Sequence, residues 1–347
     1  MTIEPVFPGF GSAPRLGYGC SHLMGGLTRR QSVALLEAAF DAGIRYFDTA
    51  PSYGFGQAEG VLGEALRARR DQVAIATKFG LRPPRRQRLV GLARRVALPV
   101  IRRVPSVKAR LSRAAGGLVG RANFSPDELR ASIEASLAAL RTDHVDVFLL
   151  HEAVAADLSD ELFEALERSV AAGKVRRFGI GSEAAAAAEI YRTDRRFCPV
   201  LQFEWSVLDG QALDYPASFL ITHRSLSQNF SRLCAWLGAN PAIARSWSRE
   251  LDCDVANAGV LSRLMLAAAR SANPGGMTLF SSRNPQNIRA NARLMEDHIA
   301  PRQGAALAAL VARDAASLLK PLQPGRSSAV PAAPDHRHAD RPAPSPG

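Results

Sequence analysis

Two kinds of hydrophobic pattern alternate along most of the chain. Short apolar runs with the period of a pleated strand are separated by longer stretches whose apolar residues return every three or four positions, as on a helix with one buried face. Eight short runs predict strands at Leu16–Cys20, Arg45–Asp48, Val73–Thr77, Val145–Leu150, Phe178–Gly181, Val200–Phe203, Phe219–Thr222 and Met277–Phe280. Helices are predicted between them over Thr28–Ala42, Ala58–Arg69, Pro126–Leu140, Asp160–Ala172 and Ala184–Tyr191. Some carry their own boundary signals. Ser125-Pro126-Asp127-Glu128 sets a capping hydroxyl, a first-turn proline and two acids at a helix start, and Gly43 follows the helix that ends at Ala42. Between Phe203 and Phe219 only a very short helix fits, whereas Ser227–Ala272 has room for more than one. Strands and helices in strict alternation predict an α/β fold with a parallel sheet, and eight of each predict a closed (β/α)8 TIM barrel.

Composition agrees with such a core. Of 347 residues, 47% are hydrophobic and 22% charged, close to globular averages. No apolar run has the length of a membrane helix, and Met1–Tyr18 lacks the basic start and apolar stretch of a signal peptide, so no integral membrane segment and a cytoplasmic location are expected. Cys20, Cys198, Cys234 and Cys253 form no CxxC pair, which argues against structural zinc or a disulfide framework. Residues 1–320 are expected to form one barrel domain. Residues 321–347 form a Pro/Ala-rich tail that is expected to be disordered, since Gln323–Gly347 alone holds six prolines. His336 and His338 lie in that tail without partner ligands and are not assigned to a metal.

The net charge of +12 is local rather than general. Gln72–Pro126 contains no acid but holds Lys78 and twelve more basic residues from Arg82 to Arg121, which leaves the rest of the chain almost neutral. A nucleic-acid surface is therefore not expected. Residues 81–123 look like a basic insertion after the third strand, with apolar residues at helical spacing over Arg88–Ala97 and Ser106–Gly120. It is open to three readings: a solvated face, a wall of the substrate pocket, or a weak contact with anionic surfaces.

In a closed barrel the reacting groups come from the C-terminal ends of several strands. Asp48 ends the second predicted strand and Tyr53 follows it, Lys78 directly follows the third, and His151 directly follows the fourth. A phenol with a pKa of about 10 becomes a useful acid near neutrality only beside a cation. Lys78 is that cation, Asp48 is its paired carboxylate, and His151 is placed to donate to a carbonyl oxygen. The turn Ser281-Ser282-Arg283-Asn284-Pro285 opens another helix with hydroxyls and a guanidinium, a composition suited to a phosphate.

The runs Gly43-Ile44-Arg45-Tyr46-Phe47-Asp48-Thr49-Ala50 with Tyr53-Gly54, Ala76-Thr77-Lys78, Asp146-Val147-Phe148-Leu149-Leu150-His151 and Gly173-Lys174-Val175-Arg176-Arg177-Phe178-Gly179-Ile180-Gly181-Ser182 resemble the aldo-keto reductase family over roughly residues 15 to 300. The resemblance implies a barrel that binds NADPH without a Rossmann glycine loop and reduces an aldehyde or ketone, a small-molecule carbonyl substrate, to an alcohol. Tyr53 would be its general acid, tuned by Lys78 and Asp48, with His151 orienting the carbonyl. It further implies cofactor contacts at Gly19, Ser182, Gln202, His223, Leu226, Ser281, Ser282, Arg283, Asn287 and Asn291. The chain departs from the family pattern at several of these sites. Glu183 stands where asparagine is usual, His223 where a larger aromatic stacks, Arg224 where a small polar residue is common, and Asn287 where a basic residue is common. Arg283 then carries the phosphate contact, which points to NADPH over NADH. Two alternatives stay open: an NADP-binding regulatory or membrane-attached barrel without significant turnover, and the reverse alcohol or sugar dehydrogenase.

Overall fold

The computed structural model describes residues 16–82, 120–210, 213–295 and 300–318. Eight parallel strands close a barrel: β1 (Leu16–Gly19), β2 (Tyr46–Asp48), β3 (Ala74–Phe79), β6 (Val145–His151), β7 (Val175–Gly181), β8 (Val200–Glu204), β9 (Phe219–His223) and β10 (Met277–Phe280). Around the barrel the order is β1-β10-β9-β8-β7-β6-β3-β2, so each strand lies beside its neighbours in the chain, as the sequence pattern predicts. β4 (Leu81–Arg82) and β5 (Gly120–Arg121) form a separate antiparallel ladder. The tail and the insertion's interior, including the predicted amphipathic helices apart from Gly120, lie outside the described residues.

Local chemistry sets the helix starts. Thr28 accepts from the Gln31 amide in a reciprocal capping box before Arg29–Asp41, and Ser125 accepts from the Glu128 amide with Pro126 in the first turn of Pro126–Leu140. The helix predicted over Ala58–Arg69 ends at Leu66 and continues as a 3-10 turn over Arg67–Gln72. No helix stands between Phe203 and Phe219 among the described residues. There the chain turns instead, with the Ser206 amide donating to Asp209 at 2.7 Å. Ser227–Ala272 resolves into three helices, Ser227–Ala239, Pro241–Leu251 and Ala258–Ala272. With the helix Ala300–Leu318 they bury a second apolar cluster around Trp205, Trp236 and Trp247 beside the barrel, and the Trp247 indole donates to Asp314 at 2.9 Å.

Side chains on a strand alternate between faces, so each barrel strand sends every second residue inward. Tyr46, Ala74, Ala76, Val147, Leu149, Val200, Phe219, Ile221, Met277 and Leu279 make up that interior. Following the same alternation toward the C-terminal ends, the next inward positions are Asp48, Lys78, His151, Gly181, Gln202 and His223. The barrel is filled by apolar layers and closed at its mouth by a polar one.

On the outer face, the buried Asp146 ties three segments together. It accepts from Arg70 Nη2 at 2.9 Å, Arg176 Nη1 at 2.7 Å and the Ile75 amide at 2.8 Å. Removing one partner of a buried pair leaves the others uncompensated, at a cost of about 3 kcal/mol or more. Asp146→Ala is therefore expected to lower unfolding stability by about 3 kcal/mol, measured as a reduced urea midpoint at unchanged m-value. A loss within about 0.5 kcal/mol would show that the clamp carries little.

Candidate active site

The mouth of the barrel encloses a cavity of about 520 Å³. Its wall includes Asp48, Tyr53, Lys78 and His151 together with Gly19, Ser182, Gln202, His223, Leu226 and Ser281 from the predicted cofactor set. Ser282, Arg283, Asn287 and Asn291 do not line it. They lie in the turn after β10 and on the helix Pro285–Ala292. There Arg283 Nη2 donates to the Gly25 carbonyl at 3.0 Å, while the Tyr18 hydroxyl donates to the Ser282 carbonyl at 2.8 Å. Asn287 is exposed and Asn291 buried.

Strands β3 and β6 run further than the sequence suggests, so Lys78 and His151 sit within the ladders rather than on loops. Lys78 pairs with Leu149 in register, and His151 pairs with Gly181. Gly80 has φ +140°, and a Cβ there would stand 2.2 Å from the His151 carbonyl oxygen, so only glycine allows the β3 exit to pass this close. Tyr53 opens a single 3-10 turn, Tyr53–Phe55, and its amide donates to the Ala50 carbonyl at 3.0 Å. The next residue, Gly54, has φ +59°, and a Cβ there would meet the Leu23 carbonyl oxygen at 2.6 Å. That close approach fixes the Tyr53 loop against the loop after β1.

Lys78 Nζ donates to Asp48 Oδ1 at 2.6 Å and to the Thr49 carbonyl at 3.0 Å, with the lysine only 2% exposed. The ammonium lies 5.3 Å from the centre of the Tyr53 ring. The Tyr53 ring meets that of His151 edge-on, 6.0 Å between centres. Burial alone would lower the Lys78 pKa, but the Asp48 charge and hydrogen bond outweigh it and hold the ammonium above its ordinary value. Burial raises the Tyr53 phenol while Lys78 pulls it down and Asp48 pushes it up. Burial, with help from Lys78, lowers His151 from 6.5 to about 3, and His223 likewise falls to about 3. Both rings are therefore neutral near pH 7. The His151 Nδ1 is buried with no partner among the described residues.

Three features escape the sequence reading. Glu152 and Glu204 stand on the rim, where Glu204 pairs with Arg224 and burial together with Glu183 raises the Glu152 carboxyl. Ser225 also lines the cavity, with its hydroxyl buried and unpartnered among the described residues. Glu59, buried one residue into the helix Ala58–Leu66, accepts from the Thr77 hydroxyl at 2.6 Å and so ties the segment after Tyr53 to the strand that carries Lys78. Its signal was available: Glu59 shares the helix face of Leu62 and Leu66, where a carboxylate is out of place. The basic insertion leaves and re-enters beside this cavity. Leu81 lines it, and β4 and β5 are braced by the Arg82–Glu128 and Arg121–Asp157 ion pairs.

With this geometry in view, the chain belongs to the aldo/keto reductase family, whose family model matches residues 15–238. It is 38% identical over 191 residues to a D-threo-aldose 1-dehydrogenase of a Pseudomonas species, covering 52% of this chain and 54% of that protein. It is 29% identical over 199 residues to a 6-dehydroglucose reductase of Novosphingobium aromaticivorans, covering 52% and 54%. The chain thus spans about half the length of these curated relatives. A solved aldo-keto reductase of Klebsiella pneumoniae in complex with NADPH superposes at TM-score 0.59 and 23% identity, over 87% of this chain and 91% of that one. The glycerol dehydrogenase of Gluconobacter oxydans superposes at 0.62 and 18% identity, over 92% and 98%. At these identities the structural likeness is one of fold.

The neutral histidines make the protein acid-sensitive. Between pH 6.5 and about 3 the unfolded chain binds a proton that the buried His151 ring refuses. Its contribution is therefore intact above 6.5 and lost as pH falls toward 3. His151→Gln is expected to lower the slope of urea stability against pH by close to one proton between about pH 6 and 4. An unchanged slope would mean that His151 protonates freely in the folded state.

Proposed function

We propose that this protein reduces an aldehyde or ketone with NADPH, Tyr53 being the proton donor. The observation that carries the reading is a phenol placed beside a buried Lys78–Asp48 pair and a neutral His151 in one cavity. Orphaned donors fit the cofactor. The Ser225 hydroxyl has no partner among the described residues, and the helix Ser227–Ala239 starts at the cavity wall without a side-chain cap, which suits an anionic pyrophosphate. Ser182, Gln202 and His223 would hold the nicotinamide end, and Arg283 with Ser281 and Ser282 the adenosine phosphate. Ser182 Oγ donates to the Ala153 carbonyl at 2.9 Å, which leaves its lone pairs free to accept. When bound, the cofactor supplies the hydride.

The protein's own residues supply the rest. His151 donates to the carbonyl oxygen and sets its direction, a role that the N–H of its neutral ring can fill. Tyr53 gives its proton to that oxygen as negative charge develops, and the Lys78 ammonium stabilises the phenolate left behind. Asp48 keeps that ammonium charged inside the barrel. A barrel that only bound the cofactor would have no use for a phenol so placed. The same groups serve oxidation, and the likeness to a D-threo-aldose 1-dehydrogenase favours sugars as the first alcohols to try. Free thiols at all four cysteines fit a reducing cytoplasm.

The test is fluorescence titration with NADPH and NADH, followed by carbonyl and sugar panels read as cofactor turnover. Tyr53→Phe is expected to cut kcat by about a hundredfold or more while leaving NADPH affinity unchanged; full turnover in this variant would remove the phenol from the mechanism. Arg283→Ala is expected to weaken NADPH by about tenfold to a hundredfold and NADH far less. Equal weakening of both would end the phosphate assignment.

A further inference from the structure

We propose that Gln202 is a positioning residue for the proton donor: its amide clamps Asp48 from across the barrel and so sets how much of that carboxylate's charge reaches Lys78 and Tyr53. The proposal rests on the reading of Tyr53 as the proton donor.

β8 stands four strands from β2 in either direction around the barrel, so the two are opposite each other. Gln202 Nε2 nonetheless reaches Asp48 Oδ2 at 2.7 Å, a side-chain bond between residues 154 apart in sequence. Both residues are almost fully buried, at 2% and 4% exposure. The bond spans the mouth as a crossbar just above the apolar interior.

The orientation of the amide follows from chemistry. Asp48 Oδ1 already accepts from Lys78, and a carboxylate so paired is an acceptor on both oxygens, so the group facing Oδ2 must be the amide NH2. Gln202 Oε1 is then turned away from Asp48, as an acceptor. The clamp also divides charge. Asp48 raises the phenol while Lys78 lowers it, and a hydrogen bond from Gln202 draws off part of the carboxylate's charge and leaves more of the ammonium's field for Tyr53. Without that bond the full carboxylate faces Lys78, and the phenolate becomes harder to form.

Gln202→Met keeps the length of the side chain and removes the bond; Gln202→Glu keeps its shape and sets a second carboxylate against Asp48. Ionisation of Tyr53 is followed by tyrosinate absorbance in the cofactor-free protein, subtracting the matching Tyr53→Phe protein, with near-ultraviolet circular dichroism confirming the fold. The midpoint is expected to rise in the order wild type, Gln202→Met, Gln202→Glu, by about one pH unit at the first step. That step should vanish when Gln202→Met is made in an Asp48→Asn background, since the clamp acts only through Asp48. The basic limb of the kcat profile at saturating NADPH should move with it. An unchanged midpoint with only NADPH affinity altered would overturn the proposal, as would the same shift with and without Asp48. Failure of the wild-type protein to turn over any carbonyl would sink the proposed reaction, while the titration would still decide the clamp.

Discussion

The buried pairing of Lys78 with Asp48 is the interaction around which the mouth of this barrel is organised. Taking an ammonium out of water costs several kcal/mol unless partners replace the lost solvation. Here they are replaced by one carboxylate oxygen, the Thr49 carbonyl and, through the other carboxylate oxygen, the Gln202 amide. The cation so retained places a positive charge beside the Tyr53 ring and helps to keep both histidines neutral. A phenol beside a cation and a neutral imidazole beside the phenol follow from one pair being held dry.

That pair can be held dry because the barrel closes. Alternation along the strands packs apolar side chains in successive layers, and the last inward position on β2, β3, β6, β8 and β9 is polar. The polar groups meet only because the strands that carry them lie at one level: His151, Gly181 and Gln202 are paired in register, as are Gly19 and Asp48. Glycines at Gly54 and Gly80 then bring the Tyr53 loop and the exit of β3 closer to their neighbours than any side chain would permit.

Around this arrangement of strands the chain has further features. The two ends of the basic insertion pair in the short β4–β5 ladder, which holds them beside the cavity. The family match stops at residue 238, and the helices that follow bury a separate cluster built on Trp205, Trp236 and Trp247. The wall after β9 is the start of the helix Ser227–Ala239, and the carboxylates of Glu152, Glu183 and Glu204 stand around the mouth against the single guanidinium of Arg224 among the described residues that line it.

Much of this was legible in the residues alone. Strand and helix periods, the Ser125-Pro126 cap and the turn at Gly43 are local signals, and local sterics and burial decide them. They were enough for a closed barrel, and the order Asp48, Tyr53, Lys78, His151 at successive strand ends was enough to collect a candidate site. Other features depend on register, and register is a property of neighbours far apart in sequence. No pattern near residue 48 or residue 202 announces that the two side chains touch across the barrel. Nothing near Lys78 or His151 tells how far β3 and β6 extend, because backbone pairing with Leu149 and Gly181 settles it. Glu59 is intermediate: its place on an apolar face was visible, but only folding supplies the Thr77 hydroxyl that makes its burial tolerable. The sequence determined which groups arrive at the mouth, through periodicity and strand order. Tertiary structure decided which of them share a proton or a charge, because hydrogen bonds of under 3 Å require the closed barrel to set the distance.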